Sequence, residues 1–267
     1  MDNNHYSHNE YDNFNSQNSS DYLNAVNNYQ KGASAGFEDI SSNSRFFGQS
    51  NTALCREVIT KSYLFMVVAL LITAYGAFSA TNTFIYWLAT GNNYFKLVIA
   101  EIAIVFVSNW AIKKNNAILA GILYTAYSYL TGAVFSIILL VYTPASVLTI
   151  FLITAGVFAI MAIYGLVTKA DLSSAGSICF MGLIGIIISS VVNMIFIKSS
   201  LFDTIICIIG VMIFVVLTAY DTQKIKARAS YASSANVLSL SLFGAFELYL
   251  DFVNIFLKLL SLFGKKK

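Results

Sequence analysis

The sequence predicts an all-α integral membrane protein, with seven transmembrane helices of which six surround a central seventh. Three observations predict it. Of the 267 residues, 57% are hydrophobic and only 11% charged, with a mean hydropathy of +0.70, whereas soluble domains carry about 25% charged residues. Seven apolar runs follow one another from Lys61 onward, each near the roughly 20 residues that a bilayer span requires. A single proline argues against a loop-rich chain.

The elements are justified in chain order. Residues 1–52 are rich in Asn, Ser, Tyr and Asp, with nine asparagines in the first 28. Such a tract buries too little apolar surface to offset its ordering, so it is expected to be a disordered tail. It lacks a basic segment followed by an apolar core and does not read as a signal peptide. The membrane domain, 53–264, is predicted to place its spans at 62–80, 94–112, 117–141, 146–167, 176–197, 201–220 and 237–263. Between them lie polar or turn-forming breaks: 90–93, 113–116, Pro144, 169–174, 198–200 and 222–236. A basic tail, 265–267, closes the chain.

Composition also removes chemistry. Cys55, Cys179 and Cys207 stand apart with no CxxC spacing, so neither a zinc site nor a disulfide framework is indicated. Both histidines, His5 and His8, lie in the polar tail. The spans therefore carry no histidine for serine hydrolysis, haem ligation or HExxH metalloprotease work. No enzyme activity, metal site or cofactor is expected. A net charge of +3 is too small and too scattered for nucleic-acid binding.

The seventh span differs from the rest. Glu247, Asp251, Asn254 and Lys258 are spaced by four, three and four, which places them on one helical face. Each buried charge costs several kcal/mol (order of magnitude) in bare lipid, so this helix belongs at the centre of the bundle. A re-entrant segment that spans incompletely is the alternative. Glu101 and Asp221 are the other intramembrane carboxylates, whereas Asp203 stands too near the start of span six to count with them. All four carboxylates are candidates for pore lining or for interhelical pairing, as are Asn254 and Lys258. Glu247 and Lys258 are too far apart along one helix to pair directly, and Glu101 is a partner for Lys258 by charge alone.

Spans six and seven should form an antiparallel hairpin. Asp221 and Asp251 stand level in it only if helix six runs past the membrane edge or span seven starts deeper. The sequence permits that meeting without demanding it. Two carboxylates that meet in a low dielectric do not both ionise cheaply and would share a proton.

Two stretches carry a resemblance. One is AYDTQKIK, from Ala219 to Lys226, and the other is ELYLDFVNIFLKLL, from Glu247 to Leu260. Together they resemble the Bax inhibitor-1 (transmembrane Bax inhibitor motif) family in its bacterial branch. Glu101, Trp110 and the basic end Lys113–Lys114 of the second span extend the similarity at lower specificity over about 53–264. The resemblance implies six helices around a central seventh and a pH-sensitive calcium leak gated by a di-aspartyl pair, here Asp221 and Asp251. It also implies a latch from the end of the second span. The family's arginine is replaced there by Ile112, which leaves Lys113 as the candidate latch, and a lysine point charge does not reproduce bidentate carboxylate binding.

Counting basic residues in the short loops places the N-terminus in the cytoplasm, with Lys113, Lys114, Lys169, Lys224, Lys226 and Arg228 inside. The C-terminal lysines fit that side only if the last segment re-enters, so the side of the C-terminus stays open. The resemblance implies a bacterial inner membrane, with calcium ions and the lipid bilayer as partners. The alternative function is a membrane interaction protein that regulates cell death or binds a membrane-anchored protease. A retinal protein is a third reading suggested by Lys258, and the lack of a carboxylate in 117–141 argues against it.

Overall fold

In a computed structural model, the described residues are 52–81, 93–114 and 116–267, with backbone alone at 93–95, 98, 109, 110, 112 and 113. The tail expected to be disordered lies outside them. The described residues form seven helices: α1 Thr52–Thr81, α2 Asn93–Lys113, α3 Ala117–Val141, α4 Pro144–Val167, α5 Ser173–Val192, α6 Ser200–Ala229 and α7 Val237–Phe263. Helix α5 runs on into a π-helical turn, Asn193–Ile197. All except α2 are long and apolar enough to cross a membrane. Helix α2 has a shorter apolar stretch, Ile99–Ser108, inside its 21 residues.

Local chemistry sets the boundaries. Asn116 caps α3, its side chain accepting from the Leu119 N–H at 3.1 Å. Pro144 opens α4 at a position where its missing N–H costs nothing. Helix α6 continues nine residues past the expected end at Tyr220, because Gln, Lys, Ala and Arg are good helix formers that hydropathy overlooks. Lys226 and Arg228 occupy its last turn, where they complement the helix dipole. Helix α1 likewise starts ten residues before the apolar run, through a polar first segment.

The re-entrant alternative for the last span is overturned. Helix α7 is continuous over 27 residues, roughly 40 Å. Its charges are met by partners inside the protein, so it need not leave the bilayer. Beyond it, Lys266 forms an antiparallel bridge with Tyr142, the Thr143 N–H donates to the Lys265 carbonyl at 3.0 Å, and the Lys267 N–H donates to Val141 at 2.9 Å. The C-terminal residues therefore sit at the α3–α4 turn. The opposite end of the bundle gathers the start of α1 and the ends of α4 and α6. There Cys55 Sγ donates to the Lys226 carbonyl at 3.9 Å, and Lys226 Nζ donates to the Leu166 carbonyl at 2.7 Å.

Helix α7 is the most buried element: 67% of its apolar window is buried, against 11–39% for the other long apolar helices. It packs on α2, α3, α4 and α6, and on α1 through Thr73 and Tyr249. Helix α5, only 11% buried, rests on α6. Close approach between α4 and α6 depends on Gly165, where an added Cβ would stand 2.3 Å from the Ala219 carbonyl oxygen. Large apolar side chains such as Phe78, Phe106, Val167 and Phe196 face outward, as a lipid solvent requires.

Candidate functional site

Extension of α6 brings the two motif segments level. In an antiparallel pair the numbers of facing residues add to a nearly constant value, and Lys224–Glu247 and Asp221–Asp251 both obey this. Asp251 is 4% exposed and lies in the direct electrostatic field of Asp221 and Glu247. The structure thus supplies the meeting that the sequence permitted, by the longer of the two routes considered: helix six runs on.

Lys224 stands between the carboxylates. Its Nζ lies 3.3 Å from Asp221 Oδ1 and donates a hydrogen bond to Glu247 Oε1. The side chains of Lys224, Asp221 and Glu247 are 25%, 13% and 17% exposed, so the pairing works in a reduced dielectric, where it is stronger than at a surface. Two aromatic faces hold the ammonium, the Tyr220 ring and the Phe243 ring, each centred 5.6 Å away. Arg228 stacks on Phe243 at 4.1 Å and adds a second positive charge to the field on Asp221 and Glu247. Glu247 Oε2 and Asp251 Oδ2 are buried and accept no hydrogen bond from the protein.

These groups line a cavity of about 800 Å³ between α5, α6 and α7. Glu247, Asp251, Asn254 and Lys258 all face it, so the stripe expected on one face of the last helix opens into a single space. Asn254 satisfies its amide on its own helix, donating to the Leu250 carbonyl at 2.8 Å. The Lys258 stem lies on Gly210 of α6, where an added Cβ would meet its Cε at 3.2 Å.

Glu101 lies elsewhere. It neighbours Thr131 and acts on Tyr127 and Tyr249, on the α2–α3 side of α7. Glu101 Oε1 and Thr131 Oγ1 are buried without a hydrogen-bond partner. The structure does not bring Glu101 to Lys258: the lysine faces the α5–α6 side of α7, so matching charge was not enough to pair them. Lys113 closes α2, and its side chain lies outside the described residues. Asp203 is a structural group, accepting from Asn193 Nδ2 at 2.6 Å to fasten the α5–α6 turn.

Sequence reasoning missed Lys224, which it counted among the loop cations. A signal existed: if Asp221 and Asp251 stand level, the same hairpin rule puts Lys224 level with Glu247.

A bundle of apolar helices with an ion-paired carboxylate cluster facing an interior cavity defines a polytopic integral membrane protein with a charged interior. The chain belongs to the Bax inhibitor-1 family, since the family model described as "Inhibitor of apoptosis-promoting Bax1" matches residues 55–267. It is 43% identical over 211 residues to Inner membrane protein YbhL of Escherichia coli K12, covering 77% of this chain and 90% of that one. It is also 38% identical to a Rickettsia prowazekii protein, covering 79% and 91% of the two chains. A Deinococcus radiodurans protein is 36% identical, with 78% and 90% covered. With its apolar helices, this chain is an integral inner membrane protein.

Proposed function

We propose that the protein is a pH-sensitive leak for calcium and other cations across the inner membrane, gated by the Asp221–Asp251 pair. The observation that carries this reading is the meeting of these two carboxylates, with Glu247, on a cavity inside the bundle. Carboxylates this close in a low dielectric share a proton more readily than both ionise. Uptake or loss of that proton changes the charge at the α6–α7 contact and the packing of the two helices. Oxygen donors suit a hard cation, and a few of them among apolar walls let it pass without holding it tightly.

The N-terminus is placed in the cytoplasm. Lys169, Lys224, Lys226 and Arg228 gather at the end of the bundle where α1 begins, as the positive-inside rule requires. Lys113 remains the proposed latch from α2.

The test is calcium flux in liposomes between about pH 5 and 8, a window where a shared carboxylate proton can titrate. Asp221→Asn and Asp251→Asn should each lose most of the pH dependence, and the double variant should resemble either single one. An unchanged titration midpoint in both single variants would sink the proton switch.

A further inference from the structure

Resting on that reading, we infer that Lys224 is a tethered cation that competes with a divalent cation for the carboxylates of Asp221, Glu247 and Asp251. It thereby sets the concentration at which the cation enters. Three observations converge on it. The ammonium already takes the cation's part, 3.3 Å from Asp221 Oδ1 and hydrogen-bonded to Glu247 Oε1. Glu247 Oε2 and Asp251 Oδ2, buried and without a donor, are acceptors that a single ammonium leaves unused. The cluster faces the cavity, so an ion arriving there meets all three carboxylates.

Lysine suits this role better than arginine would. Its charge is compact, its stem has four flexible carbons, and its contact to each carboxylate is a single bond rather than a planar fork. Displacing it takes a change of rotamer toward the open cavity, and the Tyr220 and Phe243 rings keep it near for return. Among the described residues no three His, Cys, Asp or Glu side chains form a metal-holding group. That matches an ion which exchanges with the ammonium instead of staying.

The experiment measures calcium binding to the purified full-length protein in detergent by equilibrium dialysis, alongside calcium flux in liposomes. Lys224→Met removes the competitor, and half-saturating calcium should fall by about tenfold or more, in dialysis and in flux. Lys224→Arg substitutes a bidentate competitor and should raise it severalfold. Glu247→Gln deletes one ligand and should weaken binding even though it also loosens Lys224. If Lys224→Met does not fold, the arginine variant decides. Unchanged half-saturation in folded Lys224→Met or Lys224→Arg overturns the competition, as does absence of calcium binding in both wild type and Lys224→Met. A wild-type protein that binds calcium with the expected Lys224 dependence but passes none defeats the leak and supports the competition. Intact flux with no Lys224 dependence does the reverse.

Discussion

The hydroxyls of Thr73 on α1 and Tyr249 on α7 lie 2.6 Å apart, on the side of the last helix away from Asp251. Two residues along a helix turn the direction by roughly 200°, so α7 separates a hydroxyl network on one flank from the carboxylate cluster on the other. Thr73 also donates towards the Ala69 and Ser128 carbonyls, and Tyr249 is fully buried.

Tyr249→Phe removes one buried hydrogen bond while keeping the ring, and should destabilise the protein by about 1–2 kcal/mol. Thermal unfolding in detergent measures it. Since the hydroxyl lies away from the cavity, the pH profile of flux should keep its midpoint.

Gly165→Ala forces a methyl into the Ala219 carbonyl oxygen. Helices α4 and α6 must separate, at a cost of about 1–3 kcal/mol. Gly156→Ala is the control: its added Cβ meets nothing within 4 Å, and the helix gains a residue of better propensity. Equal melting temperatures for the two variants would mean that α4 and α6 do not depend on this contact.

Lys113→Ala should raise the resting leak near neutral pH if this lysine opposes the carboxylate charge, because an opposite charge near the pair favours its ionised form. Lys114→Ala, with an exposed side chain, should do less. Small and equal effects in a liposome assay would assign the latch to the α6 cations alone.

Truncation after Gly264 removes the acceptor for the Thr143 amide, the Lys265 carbonyl. Hydrogen exchange at Thr143 should accelerate by at least about fivefold, the equivalent of one net backbone hydrogen bond. The Tyr142 amide, bonded to Ile138 at 2.9 Å within α3, should be affected less.

The apolar spans were legible because lipid-facing helices must be hydrophobic along their whole length. Ala117–Val141 and Val237–Phe263 match expectation residue for residue. Helix α6 was cut short because its last nine residues are polar, and hydropathy records the solvent around a helix, not the helix itself. That error hid the site's geometry: with α6 ending at Tyr220, Lys224 falls in a loop and Glu247 has no partner. The stripe on α7 was readable from spacing alone, since 3.6-residue periodicity fixes a face. Which helix that face meets was not, because Glu101 and Lys224 both offer a charge near the seventh span and only tertiary packing selects between neighbours.

Helix α5 is fastened at both ends and slack between them. At one end Gln223 of α6 grips the chain just ahead of it, accepting from Leu172 N at 2.9 Å and donating to the Ala170 carbonyl at 2.8 Å. Tyr220 is packed so closely on Gly176 that no methyl would fit. At the other end Asn193 ties Asp203 and Ser199. Between these ties α5 walls the cavity with little of its own surface buried, and segments with few buried contacts deform at the lowest free energy. The wall behaves as a strung bow: it flexes outward at its middle, into lipid, while its tips stay put. The volume beside the carboxylates can then change without moving α6 off α4, and the surrounding bilayer's lateral pressure becomes a second quantity that the carboxylate cluster feels.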